Sequence, residues 1–157
     1  MGGSLYGKTL GIIGLGKIGK ELVKISKGFN FKFLAFDELE DDLFAKANNI
    51  TYCDLKTLLT KADIVSIHLN LTESTRNLID KNELNLMKPE AILINASRGS
   101  IVNEDALYEV LHKSKIFGAG LDVFKNEPYY GPLTKLNNII LTPHIGSYSK
   151  EIRVKME

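Results

Sequence analysis

Short apolar runs of strand length alternate along the chain with segments in which apolar residues recur at helical spacing. The apolar runs predict strands at residues 9–13, 31–36, 50–53, 64–69, 91–94, 116–123 and 139–142. Helices are predicted between them at residues 17–27, 54–62, 80–87 and 103–111. The strand runs are almost continuously apolar, which is typical of parallel strands covered on both faces. The pattern therefore predicts an α/β fold with a doubly wound parallel sheet between two helical layers.

Polar residues at several predicted helix starts have the chemistry of N-caps. Asp54, Asp80 and Asn103 can each accept hydrogen bonds from the free N–H groups of a first turn. Asp80 is followed three residues later by a glutamate, the spacing of a capping box. Gly28 is expected to end the first helix. Residues 150–157 are predicted to begin another helix that has no stop signal, so we expect the sequence to be truncated there.

Composition narrows the functional classes. The 157 residues are expected to form one domain, 1–157, with its own core. The 20 Lys and Arg residues are nearly balanced by 19 Asp and Glu residues, so neither nucleic acid nor an anionic membrane is an expected partner. Cys53 is the only cysteine, and no Cys/His cluster has zinc-site spacing, so neither a disulfide nor a metal is expected. No apolar run reaches the roughly 20 residues of a membrane helix, and a soluble, cytoplasmic protein is expected.

A glycine-rich motif joins the first predicted strand to the first predicted helix. It reads Gly14-Leu-Gly16-Lys17-Ile18-Gly19, and in this position a G-x-G-x-x-G pattern is typical of a dinucleotide site on a Rossmann-type fold. Gly14 allows the tight turn, Gly16 lets the backbone approach a pyrophosphate, and Gly19 allows close packing of helix on strand. A purely structural glycine-rich turn is the alternative interpretation.

Asp37 ends the second predicted strand, 18 residues beyond Gly19. A carboxylate at this place can accept hydrogen bonds from the adenosine ribose hydroxyls and selects NAD. Asp37 and Glu38 would repel the 2′-phosphate of NADP, and no arginine stands beside them. The alternative is that Asp37 is simply a solvated loop acid.

Three further motifs stand at the carboxyl ends of later strands, where open α/β sheets bind ligands. They are Asn-Ala-Ser-Arg-Gly at 95–99, Asp-Val-Phe-Lys-Asn-Glu-Pro at 122–128 and Thr-Pro-His-Ile-Gly at 142–146. Together with Gly-Lys-Thr-Leu-Gly-Ile-Ile-Gly-Leu-Gly at 7–16, they closely resemble the D-isomer-specific 2-hydroxyacid dehydrogenases, a group that contains phosphoglycerate, glycerate, D-lactate and formate dehydrogenases. The resemblance covers essentially the whole chain.

The resemblance implies roles for individual residues. Arg98 corresponds to the arginine that holds the substrate carboxylate and carbonyl, Glu127 to the acid that orients the histidine, and His144 to the acid/base. Asp122 corresponds to the residue that receives the nicotinamide carboxamide. Further positions near the coenzyme are His68, Thr75, Ala96, Ser97 and Gly146.

The chemistry of the reaction supports these roles independently. Oxidation of a 2-hydroxy acid transfers a hydride to NAD and releases a proton, for which histidine is well suited. A carboxylate such as Glu127 can fix the tautomer of the imidazole. The paired N–H donors of Arg98 can bind both oxygens of a planar carboxylate. Taken singly, Arg98 could be a loop charge, Glu127 part of a turn and His144 a strand-end residue. Of the other histidines, His68 is interpreted as a coenzyme neighbour and His112 as solvated.

Members of the family have a second, substrate-binding domain built from sequence on both sides of this region, with the active site in the cleft between the domains. The resemblance therefore implies an NAD-binding domain that is inactive alone, from an enzyme that acts on a small 2-hydroxy or 2-oxo acid and forms a homodimer. At 127–147 the sequence most resembles phosphoglycerate dehydrogenase. The alternative is an NAD-sensing or corepressor-like module without catalysis, against which the presence of Arg98, Glu127 and His144 argues. Asn70 stands where the family usually has proline, which puts coenzyme affinity or loop order in question.

Overall fold

Seven parallel strands form the sheet at the centre of the computed structural model, which describes residues 3–146. The strands are β1 (Thr9–Ile13), β2 (Lys32–Phe36), β3 (Ile50–Tyr52), β4 (Ile64–Ile67), β5 (Ile92–Asn95), β6 (Gly118–Leu121) and β7 (Ile139–Leu141). Their spatial order is β3-β2-β1-β4-β5-β6-β7, and every neighbouring pair is parallel. The chain winds outward from β1 in one direction and from β4 in the other, so the Rossmann-type prediction is confirmed.

Five α-helices connect the strands within the described residues. They are α1 (Lys17–Ile25), α2 (Asp42–Ala47), α3 (Leu55–Lys61), α4 (Lys81–Leu84) and α5 (Glu104–His112), with 3-10 turns at Lys27–Phe29 and Pro132–Lys135. The three predicted N-caps are confirmed: the side chains of Asp54, Asp80 and Asn103 accept hydrogen bonds from first-turn N–H groups. Asp80 and Glu83 also form the predicted capping box.

Three local predictions differ from the structure. The pattern missed α2, a six-residue helix that Asp41 caps by accepting a hydrogen bond from Phe44 N–H. Gly28 does not end α1, because the helix stops at Ile25 and Gly28 lies in the following 3-10 turn, which Asn30 ends in the left-handed conformation at φ 53°. The helix predicted at 80–87 has one turn, α4. The helix start predicted at 150–157 lies outside the described residues.

Two apolar cores lie on opposite faces of the sheet because successive strand residues point to opposite sides. Ile12 packs in the core under α1 and α2, whereas Ile13 packs in the larger core under α3, α4 and α5. Both side chains are completely buried. The helices therefore form the two outer layers of the predicted three-layer arrangement.

Asp63 ties three strands together at the amino edge of the sheet, opposite the predicted site. Its carboxylate accepts a hydrogen bond of 2.8 Å from Thr9 N–H at the start of β1 and one of 2.9 Å from Lys88 Nζ. Its backbone N–H donates to Thr9, and its carbonyl accepts from Ile92 N–H at the start of β5. Asp63 thus fixes the relative positions of β1, β4 and β5 at their beginnings.

Within residues 3–146, none of the helices combines the length and apolar character needed to cross a membrane. In the same residues, no group of three or more His, Cys, Asp and Glu side chains is arranged to hold a metal ion.

Candidate functional site

The glycine loop, residues 14–19, leaves β1 at the carboxyl edge of the sheet and enters α1. Gly14 has φ +93°, and a Cβ added there would lie 2.7 Å from the carbonyl oxygen of His68. A Cβ on Gly19 would lie 2.5 Å from the carbonyl oxygen of Gly14, so the helix could not pack where it does. No atom lies within 4 Å of the Cβ position of Gly16, which leaves its backbone open to a ligand.

The start of α1 has the features of an anion site. Its N-cap is Gly16, no side chain caps its first N–H groups, and its first turn has no acidic residue. Lys17 and Ile18 are exposed at this end. Free N–H groups and the positive end of the helix dipole favour a phosphate. The residues present therefore fit the pyrophosphate of a dinucleotide.

Asp37 lies directly after β2 and contacts the glycine loop. Its Oδ2 accepts a hydrogen bond of 2.7 Å from Leu15 N–H, and its Oδ1 accepts one of 3.1 Å from Leu39 N–H. The carboxylate is thus held beside the glycine loop, at a place where it can meet a ribose bound along that loop. The acidic stretch that follows it, residues 38–42, contains no basic residue.

His68 follows β4 and lies under the glycine loop. Its Nε2 is 2.9 Å from Ser66 Oγ, and burial lowers its pKa below the usual histidine value. The imidazole is therefore neutral at neutral pH, which fits a coenzyme neighbour better than a proton donor.

The loop after His68 is closed by Thr75. The hydroxyl of Thr75 accepts a hydrogen bond from Thr72 N–H at 2.8 Å and donates one to the carbonyl oxygen of Asn70 at 2.7 Å. Asn70 therefore takes part in the loop through its carbonyl group, which a proline would also provide.

Asn95, at the end of β5, organises the loop that carries Arg98. Its buried Oδ1 accepts hydrogen bonds from the N–H and the hydroxyl of Ser97, and its Nδ2 donates to the carbonyl oxygen of Arg98. Arg98 is exposed, and its Nη1 donates to the Ser97 carbonyl at 2.7 Å. Ala96 is exposed in the same loop. Sequence reasoning gave Asn95 no role, although it opens one of the motifs.

His144 and Glu127 form a hydrogen-bonded pair. His144 Nδ1 lies 2.8 Å from Glu127 Oε2, and Glu127 Oε1 accepts a hydrogen bond of 2.9 Å from Phe124 N–H. These two contacts, the one with His144 first, hold the pKa of Glu127 below its usual value. An ionised carboxylate can only accept, so Nδ1 carries the hydrogen. Nε2 is then the nitrogen free to exchange a proton with a ligand.

The histidine loop, residues 142–146, is held by Asp122 at the end of β6. The Asp122 carboxylate accepts hydrogen bonds from Thr142 Oγ1, Ile145 N–H and Gly146 N–H. Burial alone would raise the pKa of Asp122, but these hydrogen bonds keep it below its usual value. His144, between the clamped residues, has φ 53°, a left-handed conformation that costs a non-glycine residue about 1–3 kcal/mol.

The three residues predicted to be catalytic meet around one cavity of about 290 Å³ at the carboxyl edge. Its lining residues are Leu71, Arg98, Gly99, Ser100, Phe124, Lys125, Glu127 and His144. The predicted coenzyme residues fall into separate groups. Those at the glycine loop are Gly14, Gly16, Lys17, Ile18, Gly19, Asp37 and His68, and those at the histidine loop are Asp122 and Gly146. The arrangement can bind a dinucleotide, hold a carboxylate and exchange one proton.

Comparison with known proteins agrees with this geometry. Residues 1–146 match the family model for the NAD-binding domain of D-isomer-specific 2-hydroxyacid dehydrogenases. A glyoxylate reductase of Thermococcus litoralis is 46% identical over 157 residues, which are 99% of this chain and 47% of that protein. A D-3-phosphoglycerate dehydrogenase of Methanocaldococcus jannaschii is 42% identical over 149 residues, 94% of this chain and 28% of that protein.

Among solved structures, D-lactate dehydrogenase with NAD+ from Lactobacillus jensenii superposes with a TM-score of 0.91 at 36% identity. The match covers 99% of this chain and 51% of that one. The chain spans about half the length of this structure and of the glyoxylate reductase. The phosphoglycerate dehydrogenase, which the sequence at 127–147 favoured, is a relative, but the glyoxylate reductase is more similar.

Proposed function

The chain belongs to the D-isomer-specific 2-hydroxyacid dehydrogenases as their NAD-binding domain, and from that premise we propose that it serves in the interconversion of a short 2-oxo acid and a D-2-hydroxy acid. The observation that carries the proposal is the His144–Glu127 pair, which shares a cavity wall with Arg98. A proton exchanger and a carboxylate ligand are the two groups that the protein must supply for this reaction.

His144 handles the proton in this proposal. A dinucleotide held by the glycine loop and Asp37 would supply the hydride for reduction of the substrate or accept it in oxidation. His144 Nε2 donates a proton to the carbonyl oxygen during reduction and takes it back from the hydroxyl during oxidation. Glu127 holds the ring in the tautomer that this exchange requires and stabilises its protonated form.

Arg98 binds the substrate carboxylate. Its guanidinium has paired donors that match the two oxygens of a planar carboxylate, and it stands exposed at the rim of the cavity. Asp37 sets the preference for NAD over NADP, because its carboxylate beside Leu15 would repel a 2′-phosphate.

The relatives suggest two candidate substrates. The name of the Thermococcus protein favours glyoxylate, and that of the Methanocaldococcus protein favours a three-carbon phosphorylated acid. Both are 2-oxo acids in the reducing direction and would use the same Arg98 and His144. We further propose that the chain folds as one domain and depends on a second domain for turnover, within a homodimer in the cytoplasm.

The test is steady-state oxidation of NADH by the full-length protein with glyoxylate, hydroxypyruvate and 3-phosphohydroxypyruvate. We expect turnover with at least one of them and a fall in kcat of at least roughly a hundredfold in H144N, since general acid–base catalysis contributes about 10²–10⁴. NAD affinity should stay within a factor of about three of the wild type, because His144 lies outside the glycine loop. Unchanged function in H144N, with NAD bound as before, would instead indicate a coenzyme sensor.

A further inference from the structure

A second cation lies in the wall of the cavity that contains Arg98 and His144. Lys125 lines this cavity, and none of the roles derived above uses it. Lys125 belongs to the connection between Asp122, which clamps the histidine loop, and Glu127, which holds the imidazole. Lys125 therefore lies in the sequence between the side chain that holds the histidine loop and the side chain that holds the imidazole ring.

The backbone of Lys125 is fixed against the Arg98 loop. Its N–H donates a hydrogen bond of 2.6 Å to Glu104 Oε1. A Cβ added to Gly99 would collide with the Phe124 carbonyl and would lie 2.8 Å from the Lys125 nitrogen. The missing side chain at Gly99 thus lets the Phe124–Lys125 backbone approach the residue next to Arg98 directly. The backbone segments that carry Arg98 and Lys125 are therefore in direct contact.

The ammonium group of Lys125 is available to a ligand. Within residues 3–146 Lys125 forms no ion pair with a carboxylate, a property that it shares with other surface lysines such as Lys17 and Lys135. Lys125 is exposed. The negative charge in the cavity wall belongs to Glu127, whose oxygens are already bonded to Phe124 N–H and His144. With Arg98 and Lys125 positive and Glu127 negative, the wall has a net charge of +1 while His144 is neutral and +2 once His144 is protonated, which is one charge more than a single substrate carboxylate neutralises.

We propose that Lys125 binds a second anionic group, a phosphate ester or a second carboxylate, on the 2-oxo acid whose first carboxylate Arg98 holds. This inference rests on the proposed function and names its substrate class. Arginine suits the planar carboxylate, whereas lysine, a compact charge on a flexible stem, suits a terminal anion whose distance from C2 varies. The site therefore selects doubly charged 2-oxo acids over glyoxylate.

The test compares kcat/KM in the full-length protein for three substrates: glyoxylate, 3-phosphohydroxypyruvate and oxaloacetate. Lys125→Met should lower kcat/KM for at least one doubly charged substrate by roughly tenfold, mainly through KM, because one direct charge contact is lost. Glyoxylate should change less than about twofold, since it has no second anion. Lys125→Glu should enlarge the loss, and Lys56→Met, an exposed lysine on α3, is the matched control.

The ratio of doubly charged to singly charged kcat/KM is the decisive readout, because partial misfolding lowers both values together. An equal loss for all substrates, no loss, or a wild type that reduces only glyoxylate contradicts the role of Lys125 and leaves the proposed function intact. A wild type that reduces none of the three substrates contradicts both proposals. Of the two anions, the one whose kcat/KM responds to Lys125→Met identifies the group bound.

Discussion

Two of the loops that contain a left-handed residue at the carboxyl edge maintain that conformation by different means. The glycine loop uses Gly14, for which φ +93° carries little steric cost. The histidine loop places His144 at φ 53°, where a side chain is disfavoured. The first conformation is encoded by the residue that adopts it. The second is imposed by Asp122, which binds residues on both sides of His144 from another strand.

The two loops depend on their surroundings in opposite ways. The glycine loop needs an absent side chain, because a Cβ on Gly14 would meet the His68 carbonyl. The histidine loop needs a side chain that is present, the Asp122 carboxylate. A substitution in the first loop should therefore act by steric exclusion. One in the second should act by releasing a strained backbone that places the imidazole.

Gly14→Val should have the largest effect. A β-branched residue in this conformation costs about 1–3 kcal/mol before the contact with His68 is counted. We expect NAD affinity to fall at least on the order of 100-fold, and the melting temperature to fall as well. Isothermal titration with NAD and thermal unfolding of the full-length protein measure both.

Gly16→Ala is the matched control for that substitution, because no protein atom lies within 4 Å of its Cβ position. It should weaken NAD binding and leave the melting temperature unchanged. Equal losses of melting temperature in the two variants would contradict the distinction between them.

Asp122→Asn comes next, because an amide cannot accept hydrogen bonds at both of its ends. Small displacements of a catalytic group cost up to about 100-fold, and we expect kcat to fall roughly tenfold to thirtyfold. If Asp122 acts as the clamp, NAD affinity is retained. If its main role is to receive the nicotinamide carboxamide, the dissociation constant of NAD rises instead. Steady-state kinetics and NAD titration separate the two roles.

The pH dependence of the clamp follows from the lowered pKa of Asp122. A carboxylate whose pKa is lower in the folded state stabilises the fold above its unfolded pKa of 3.8 and loses this effect as the pH falls through the folded value. The clamp should thus persist throughout the neutral range.

Thr142→Val, which removes one of the three hydrogen bonds to the Asp122 carboxylate, should lower kcat less than Asp122→Asn does.

Asp37→Ala tests the contact between the Asp37 carboxylate and the glycine loop. It removes the acceptor for Leu15 N–H and the charge that disfavours NADP. NAD affinity should fall about fivefold to tenfold, consistent with the loss of a hydrogen bond to a charged group, and NADP affinity should not fall. Glu40→Ala is the control, since Glu40 is exposed in the same acidic stretch. Equal affinities for both coenzymes in the wild type would refute a selective role for Asp37.

Ser100→Gly should have the smallest effect, and it should be favourable. Ser100 has φ 62° in the cavity wall, so glycine relieves a strain of about 1–2 kcal/mol but loses about 0.5–1 kcal/mol through its greater freedom in the unfolded chain, which leaves a small net gain. Thermal unfolding should show a slightly higher melting temperature, whereas Ser100→Val should lower it. A lower melting temperature in Ser100→Gly would show that the serine hydroxyl contributes more than the strain removes.

The same contrast explains what the sequence could and could not predict. Periodicity and the three N-caps predicted the sheet and most helices, because those signals lie within each element. Helix α2 was missed because its cap, Asp41, stands among other acids that together resemble a solvated loop. The pairing of His144 with Glu127 was expected from the family motifs. The clamp by Asp122 was not, since its bonds to residues 142–146 depend on the neighbouring position of β6 and β7.

Because Asp63 joins the strands at the amino edge of the sheet, the two edges have different roles: one holds the strands together and the other carries the proposed site. The strand starts that it joins carry none of the residues proposed to bind ligands, which lie at the opposite, carboxyl ends of the strands. Loops at the carboxyl edge can therefore accumulate substitutions that alter the preferred substrate while the register of the central strands stays fixed. The half-buried Asp63 at the amino edge therefore holds the central strands in register independently of the loops that carry the proposed ligand-binding residues.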